Sequence, residues 1–175
     1  MNDIAKAFAK VQAIQEIEYL RRWYARATDL IGIATTESIE EGRQIYHRIF
    51  TTDVEFDVRG TDRHPLPANG PDVWVDVVHG ALAPKGPTQH LIGTQLVTID
   101  QLLVADDGSV KSGNAKMQSY LQAWHELADQ KVWLYLGIYH DQVTFTSGIG
   151  WQISHMRMEQ VAGETRYMGD AVGKA

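Results

Sequence analysis

Cysteine is absent from the sequence, which removes disulfides, thiolate metal ligands and cysteine nucleophiles together. No apolar run is long enough to span a bilayer, and Asp3, Lys6 and Lys10 interrupt any secretory signal core at the N-terminus. Basic residues are outnumbered, with 16 Lys and Arg against 22 Asp and Glu for a net charge of −6, and no Lys/Arg cluster concentrates them. A nucleic-acid or anionic-membrane binder needs the opposite balance. Several catalytic signatures are also missing. No His-Glu-x-x-His or His-x-His offers a metal site, no Gly-x-Gly-x-x-Gly opens a helix after a strand, and no Gly-x-Ser-x-Gly marks a nucleophile elbow. These absences predict a soluble, cytoplasmic protein with no nucleic-acid or membrane partner, no cofactor and no metal.

What is present reads as an ordinary globular chain. Apolar residues make up 44% and charged residues 22%, and 175 residues suit one domain with a real core. A helix is expected over Asp3–Leu30, where Ile14, Ile17, Leu20 or Arg21, Tyr24, and Ala27 or Thr28 keep three-four spacing. Glu16, Glu18, Arg21, Arg22 and Arg26 fall largely on its solvated side. Asp29 stands near the end of that helix, where the macrodipole disfavours an acid. It either ends the helix before Gly32 or holds a carboxylate at the rim of the core. A second helix follows Thr35 or Thr36 and runs to about Phe50, and a short strand covers Val54–Val58. Arg59 to Pro71 is a loop in which His64 is an exposed residue, and Asp72–Leu82 forms a third helix.

Beyond Pro87 the pattern is β. Four long strands begin near Thr88, Val110, Val132 and Trp151, with turns at Asp107-Gly108, Asp129-Gln130 and Gly148-Gly150. They predict an antiparallel meander, with three helices packed over the concave side of a curved sheet: one α+β domain over residues 1–161. Residues 162–175 carry too little apolar pattern to assign and read as an arm, an interface segment or a disordered tail.

The strand Thr88–Asp100 places Thr88, His90, Ile92, Thr94, Leu96 and Thr98 on one face, since strand side chains repeat every two residues. His90 is therefore an ionisable group in an apolar wall, either a satisfied structural histidine or a working one. Ala115, Met117, Leu121, Ala123 and His125 share a face of the next strand. His140 lies on a third, and these histidines and Asp29 sit on elements that can converge.

Tyr24-Ala25-Arg26-Ala27-Thr28-Asp29, Thr88-Gln89-His90-Leu91-Ile92-Gly93, and Gly137-Ile138-Tyr139-His140-Asp141 with Gly150-Trp151-Gln152-Ile153 occur in an order that resembles scytalone dehydratase and its SnoaL-like relatives. The resemblance spans about Ile14 to Met158 and implies the cone-shaped α+β fold of nuclear transport factor two. It implies that Asp29 and His90 form an acid–base dyad and that His125 is the second pocket histidine. Tyr24, Thr28, Val58, Tyr139 and Asp141 would line the substrate pocket. The chain also departs from that pattern. Thr28 and Val58 stand where scytalone dehydratase has pocket tyrosines, and Asp141 and Val143 where it has a serine and an asparagine. Arg157, Arg59, Tyr139 or Trp133 are the alternative sources of contacts, and scytalone itself is not the expected substrate.

The resemblance implies a cofactor-free, dehydratase-like lyase for a small, cyclic, oxygenated substrate. His90 would take a proton α to a carbonyl, Asp29 would orient it, and His125 would hold the enolate-like oxygen. An isomerase or polyketide cyclase would use the same proton abstraction, and a non-catalytic ligand-binding or assembly module would use none of it. Similar proteins form dimers or trimers, so a homo-oligomer is expected.

Overall fold

The computed structural model describes residues 3–59 and 68–167. His64 lies outside the described residues. In chain order the elements are α1 (Asp3–Ile33), α2 (Thr36–Ile49), β1 (Phe50–Arg59), β2 (Ala68–Asn69), α3 (Pro71–Leu82), β3 (Thr88–Val104), β4 (Val110–Leu127), β5 (Lys131–Thr146) and β6 (Gly150–Tyr167). They form a curved open sheet in the order β2-β1-β6-β5-β4-β3 with helices against it, an α+β arrangement. β3 to β6 form the expected antiparallel meander. β1 joins it by pairing parallel to β6, and the chain passes from β1 to the meander through β2 and α3 rather than through a hairpin.

Local chemistry accounts for the element ends. Thr35 caps α2 in a reciprocal pair: its side chain accepts from the Ser38 N–H, and the Ser38 hydroxyl accepts from the Thr35 N–H, each at 3.1 Å. Pro71 occupies the first position of α3, where its missing N–H has no helical partner to lose. Phe50 leaves α2 for an extended conformation and opens β1 four residues earlier than the sequence pattern suggests. Its ring stays in the core, packed edge-on against Tyr24, Tyr46 and Phe56.

Three features depart from the expected pattern. In β3 the partners step from Gly93–Tyr120 to Leu96–Gln118, so Thr94 and Gln95 together oppose one residue of β4. Thr94 takes φ of 46°, and this bulge reverses the faces of the strand. Beyond it Gln95, Val97 and Ile99 turn inward, while Thr94, Leu96 and Thr98 are exposed. Only Thr88, His90 and Ile92 of the predicted face look toward the core. Next, β6 does not stop near Val161. Ala162–Tyr167 continue the ladder against β5, from Leu136 to Lys131. Backbone pairing extends this strand through residues whose side chains are mostly exposed, which is why an apolar pattern is missing there. Residues 168–175 lie outside the described residues. Finally, Arg21 is fully buried rather than on the solvated side of α1.

Candidate active site

α1 and β3 meet at a glycine. A Cβ on Gly32 would come within 2.6 Å of the Thr88 side-chain methyl, so the absence of one lets the last turns of the helix lie directly on the start of the strand. One turn before the helix end, Asp29 is thereby delivered to His90. Its Oδ1 lies 2.7 Å from His90 Nδ1 and its Oδ2 accepts the His90 backbone N–H at 3.3 Å. An acid in the last turn opposes the helix dipole by about 0.3–1 kcal/mol, and these two contacts offset that. Asp29 therefore does not end the helix. It holds a carboxylate at the rim of the core, its side chain 21% exposed against 8% for His90.

A carboxylate can only accept, so Nδ1 of His90 carries the hydrogen, and in the neutral imidazole Nε2 carries the lone pair. The pair can take a proton at Nε2 and hold the resulting imidazolium against Asp29.

His125, opposite Thr88 on β4, is the neighbour of this pair. Its ring meets that of His90 edge-to-face at 5.5 Å between centroids, and Trp133 of β5 stacks on it at 4.8 Å. Burial, then the charges of His90 and Lys85, lower the His125 pKa from 6.5 to about 3, so the imidazole is neutral near pH 7. Its Nδ1 lies 2.8 Å from the Thr88 hydroxyl. Thr88 was visible as a face-mate of His90; its hydroxyl contact was not.

The other expected pocket residues occupy a packed layer deeper in the molecule. Tyr24, Thr28, Tyr139 and Asp141 are buried. Tyr24 stacks on Tyr46, and its hydroxyl accepts from Trp74 Nε1 at 3.3 Å. The Thr28 hydroxyl donates to the Tyr24 carbonyl at 2.8 Å and lies 2.7 Å from the Tyr46 hydroxyl, whose pKa burial drives well up. Asp141 is held by Arg21, which donates to it through Nε at 3.2 Å and through Nη2, while the guanidinium sits 3.9 Å from the Tyr139 ring centroid. Burial works against the Arg21 charge, but Asp141 more than offsets it and Arg21 stays cationic. For Asp141 burial raises the carboxyl pKa and Arg21 opposes the rise. With both oxygens engaged, this carboxylate is a structural partner of Arg21. Val58 is half-buried on β1 against the core.

The alternative contacts divide similarly. Trp133 lies against His125, whereas Arg59 binds Asp57 and Arg157 binds Glu159. His140 points away from the Asp29–His90 pair and faces Glu159 at 3.6 Å, because its neighbours Tyr139 and Asp141 take the inward positions. Arg21, which the sequence left as an alternative to Leu20 in the α1 stripe and also on its solvated side, is buried, and its partner is 120 residues away. Among the described residues, no cluster of three or more His, Asp or Glu could hold a metal ion. No helix among them is long and apolar enough to cross a membrane.

Residues 43–157 match the model of the family described as the SnoaL-like domain. Solved structures with the same fold include Kfla4162 of Kribbella flavida, at 20% identity and TM-score 0.68 over 89% of this chain and 95% of that one. A candidate scytalone dehydratase of Novosphingobium aromaticivorans superposes with TM-score 0.59 at 16% identity, covering 94% and 96%. The hexachlorocyclohexane dehydrochlorinase LinA-type3 of Novosphingobium barchaimii does so with TM-score 0.66 at 14% identity, covering 94% of each. No curated protein matches the sequence at a significant level.

Proposed function

Because the chain belongs to the SnoaL-like domain family, we propose that it is a cofactor-independent lyase that eliminates water from a small cyclic substrate bearing a carbonyl. The observation that carries this reading is the Asp29 carboxylate bound to both the Nδ1 and the backbone nitrogen of His90. His90 Nε2 removes the proton α to the carbonyl, and Asp29 stabilises the imidazolium as it forms. The imidazolium then returns the proton to the β-hydroxyl, the C–O bond breaks, and water leaves. Two of the structural neighbours are named for eliminations, one of water and one of hydrogen chloride. With Thr28 buried in the core and Val58 in place of a second tyrosine, polarisation of the carbonyl falls to groups other than pocket phenols.

The test is His90→Gln and Asp29→Asn, each followed by thermal melting and by steady-state kinetics on a panel of cyclic β-hydroxyketones. General-base catalysis contributes about 10²–10⁴-fold, so His90→Gln should lose that much kcat/KM while remaining folded. Asp29→Asn should lose kcat more than ligand affinity, because the imidazolium exists only along the reaction path. Unchanged kcat/KM in folded His90→Gln protein refutes the proposal. A product of unaltered mass points to isomerisation or cyclisation by the same base.

A further inference from the structure

The Thr88 hydroxyl makes two contacts at once, to the Trp124 carbonyl oxygen at 3.0 Å and to His125 Nδ1 at 2.8 Å. A hydroxyl has one hydrogen, and a carbonyl can only accept. Both bonds coexist in one arrangement alone: Thr88 donates to Trp124, and His125 Nδ1–H donates to Thr88. The Nε2 of His125 is then bare. Trp133 stacked on one face fixes the plane of the ring. The imidazole is also too poorly solvated to gain a second proton near neutral pH.

We infer that Thr88 locks His125 as its Nδ1–H tautomer, so that His125 serves the site as a hydrogen-bond acceptor selecting substrates with a hydroxyl donor. This rests on the lyase reading for its substrate, but the tautomer stands without it. It reverses the role expected for His125, because a lone pair repels an enolate-like oxygen. The group it suits is the departing hydroxyl itself. Such a hydroxyl keeps its own hydrogen on His125 Nε2 and takes a second from the His90 imidazolium, so it leaves as neutral water when the C–O bond breaks. A chloride leaving group has no hydrogen to donate and gains nothing from this acceptor. Thr88 is a positioning residue and His125 a specificity-determining one.

The experiment is a long-range ¹H–¹⁵N correlation spectrum of the ¹⁵N-labelled full chain near pH 7, with His125 assigned by its absence in His125→Gln. The expected pattern is a protonated Nδ1 and a bare Nε2 in the wild type and in Thr88→Ser. Thr88→Val, without an acceptor, should shift toward the Nε2–H form. A wild-type His125 with its hydrogen on Nε2, or a Thr88→Val spectrum identical to wild type, overturns the inference. The substrate arm compares binding of 3-hydroxycyclohexanone, whose hydroxyl is β to the carbonyl, with that of cyclohexanone, in the His90→Gln background so that no water is eliminated. A hydrogen bond of about 0.5–1.5 kcal/mol corresponds to roughly 2- to 12-fold tighter binding, lost in Thr88→Val. Equal affinity for the two ketones, or no binding of the hydroxyketone, overturns the selection. Failure of the His90→Gln test would instead remove the lyase reading and leave the tautomer result as it is.

Discussion

Removing the acceptor from the buried Arg21–Asp141 pair tests whether Asp141 belongs to the architecture or to the substrate site. In Asp141→Leu, a guanidinium with no solvent contact loses the hydrogen bonds from Nε and Nη2. Removing one partner of a buried pair costs about 3–5 kcal/mol, because the remaining charge is left uncompensated. The faces of Tyr139 and Tyr24, with centroids 3.9 and 4.5 Å from the guanidinium carbon, still offer cation–π attraction, as does a contact to Met156 sulfur at 3.3 Å. These place the loss toward the lower end, near ~3 kcal/mol. For a domain of this size that is a fall in Tm of roughly 6–12 °C. Asp141→Asn keeps one acceptor and should lose less. The double variant Arg21→Met/Asp141→Leu removes both charges and should recover most of the loss, since an apolar pair of similar volume often matches a buried ion pair. Urea titrations and calorimetry on wild type and the three variants measure these differences. A single variant within ~1 kcal/mol of wild type, or a double variant no better than Asp141→Leu, refutes the reasoning.

Acid titration of stability should carry the signature of His125. In the unfolded chain it titrates near 6.5, and in the folded protein near about 3, so between these values only the unfolded state binds the proton. Its contribution is complete above about pH 6.5 and is lost as the pH falls toward about 3, by an amount on the order of a few kcal/mol. Urea midpoints against pH should show this limb in the wild type and a shallower one in His125→Gln; equal slopes would contradict it. Gly32→Ala should push α1 off β3, because Thr88 is held by its two hydroxyl contacts and its methyl has little freedom to give way. Overpacking of this kind costs about 1–3 kcal/mol, and the strongly hydrogen-bonded His90 Nδ1–H signal should weaken by proton NMR. An unaltered signal would mean that the glycine does not set the Asp29–His90 distance.

Much of this was open to reading from residues, and the limits have physical causes. His90 and His125 could be placed inward because strand alternation is strict over short distances. Asp29 stood out because it breaks the dipole rule at a helix end. The alternation failed at Leu96 because a bulge depends on how two strands twist together, and the one local signal, Gly93 inside the strand run, does not fix its position. Arg21 was left between the stripe and the solvated side because helical phase alone cannot tell a charge at the stripe margin from a solvated one. Only the fold, by bringing in Asp141, makes its burial tolerable. Asp141 was in turn assigned to the pocket by the resemblance, as the counterpart of a polar third-strand residue; that correspondence did not reveal that Arg21 claims it.

The contact between Asp29 and the backbone nitrogen of His90 separates where the carboxylate sits from what it serves. A main-chain N–H is supplied by every residue except proline, so any of nineteen amino acids at position 90 keeps this one of the two contacts to Asp29. Each would find a carboxylate already placed beside its side chain. A lysine there would meet a counter-ion, an asparagine an acceptor, a serine a nearby base. Position 90 can therefore change its chemistry without first rebuilding the geometry around it. A scaffold arranged this way can pass from one reaction to another, or out of catalysis and back, through single substitutions that leave the wall of the site standing.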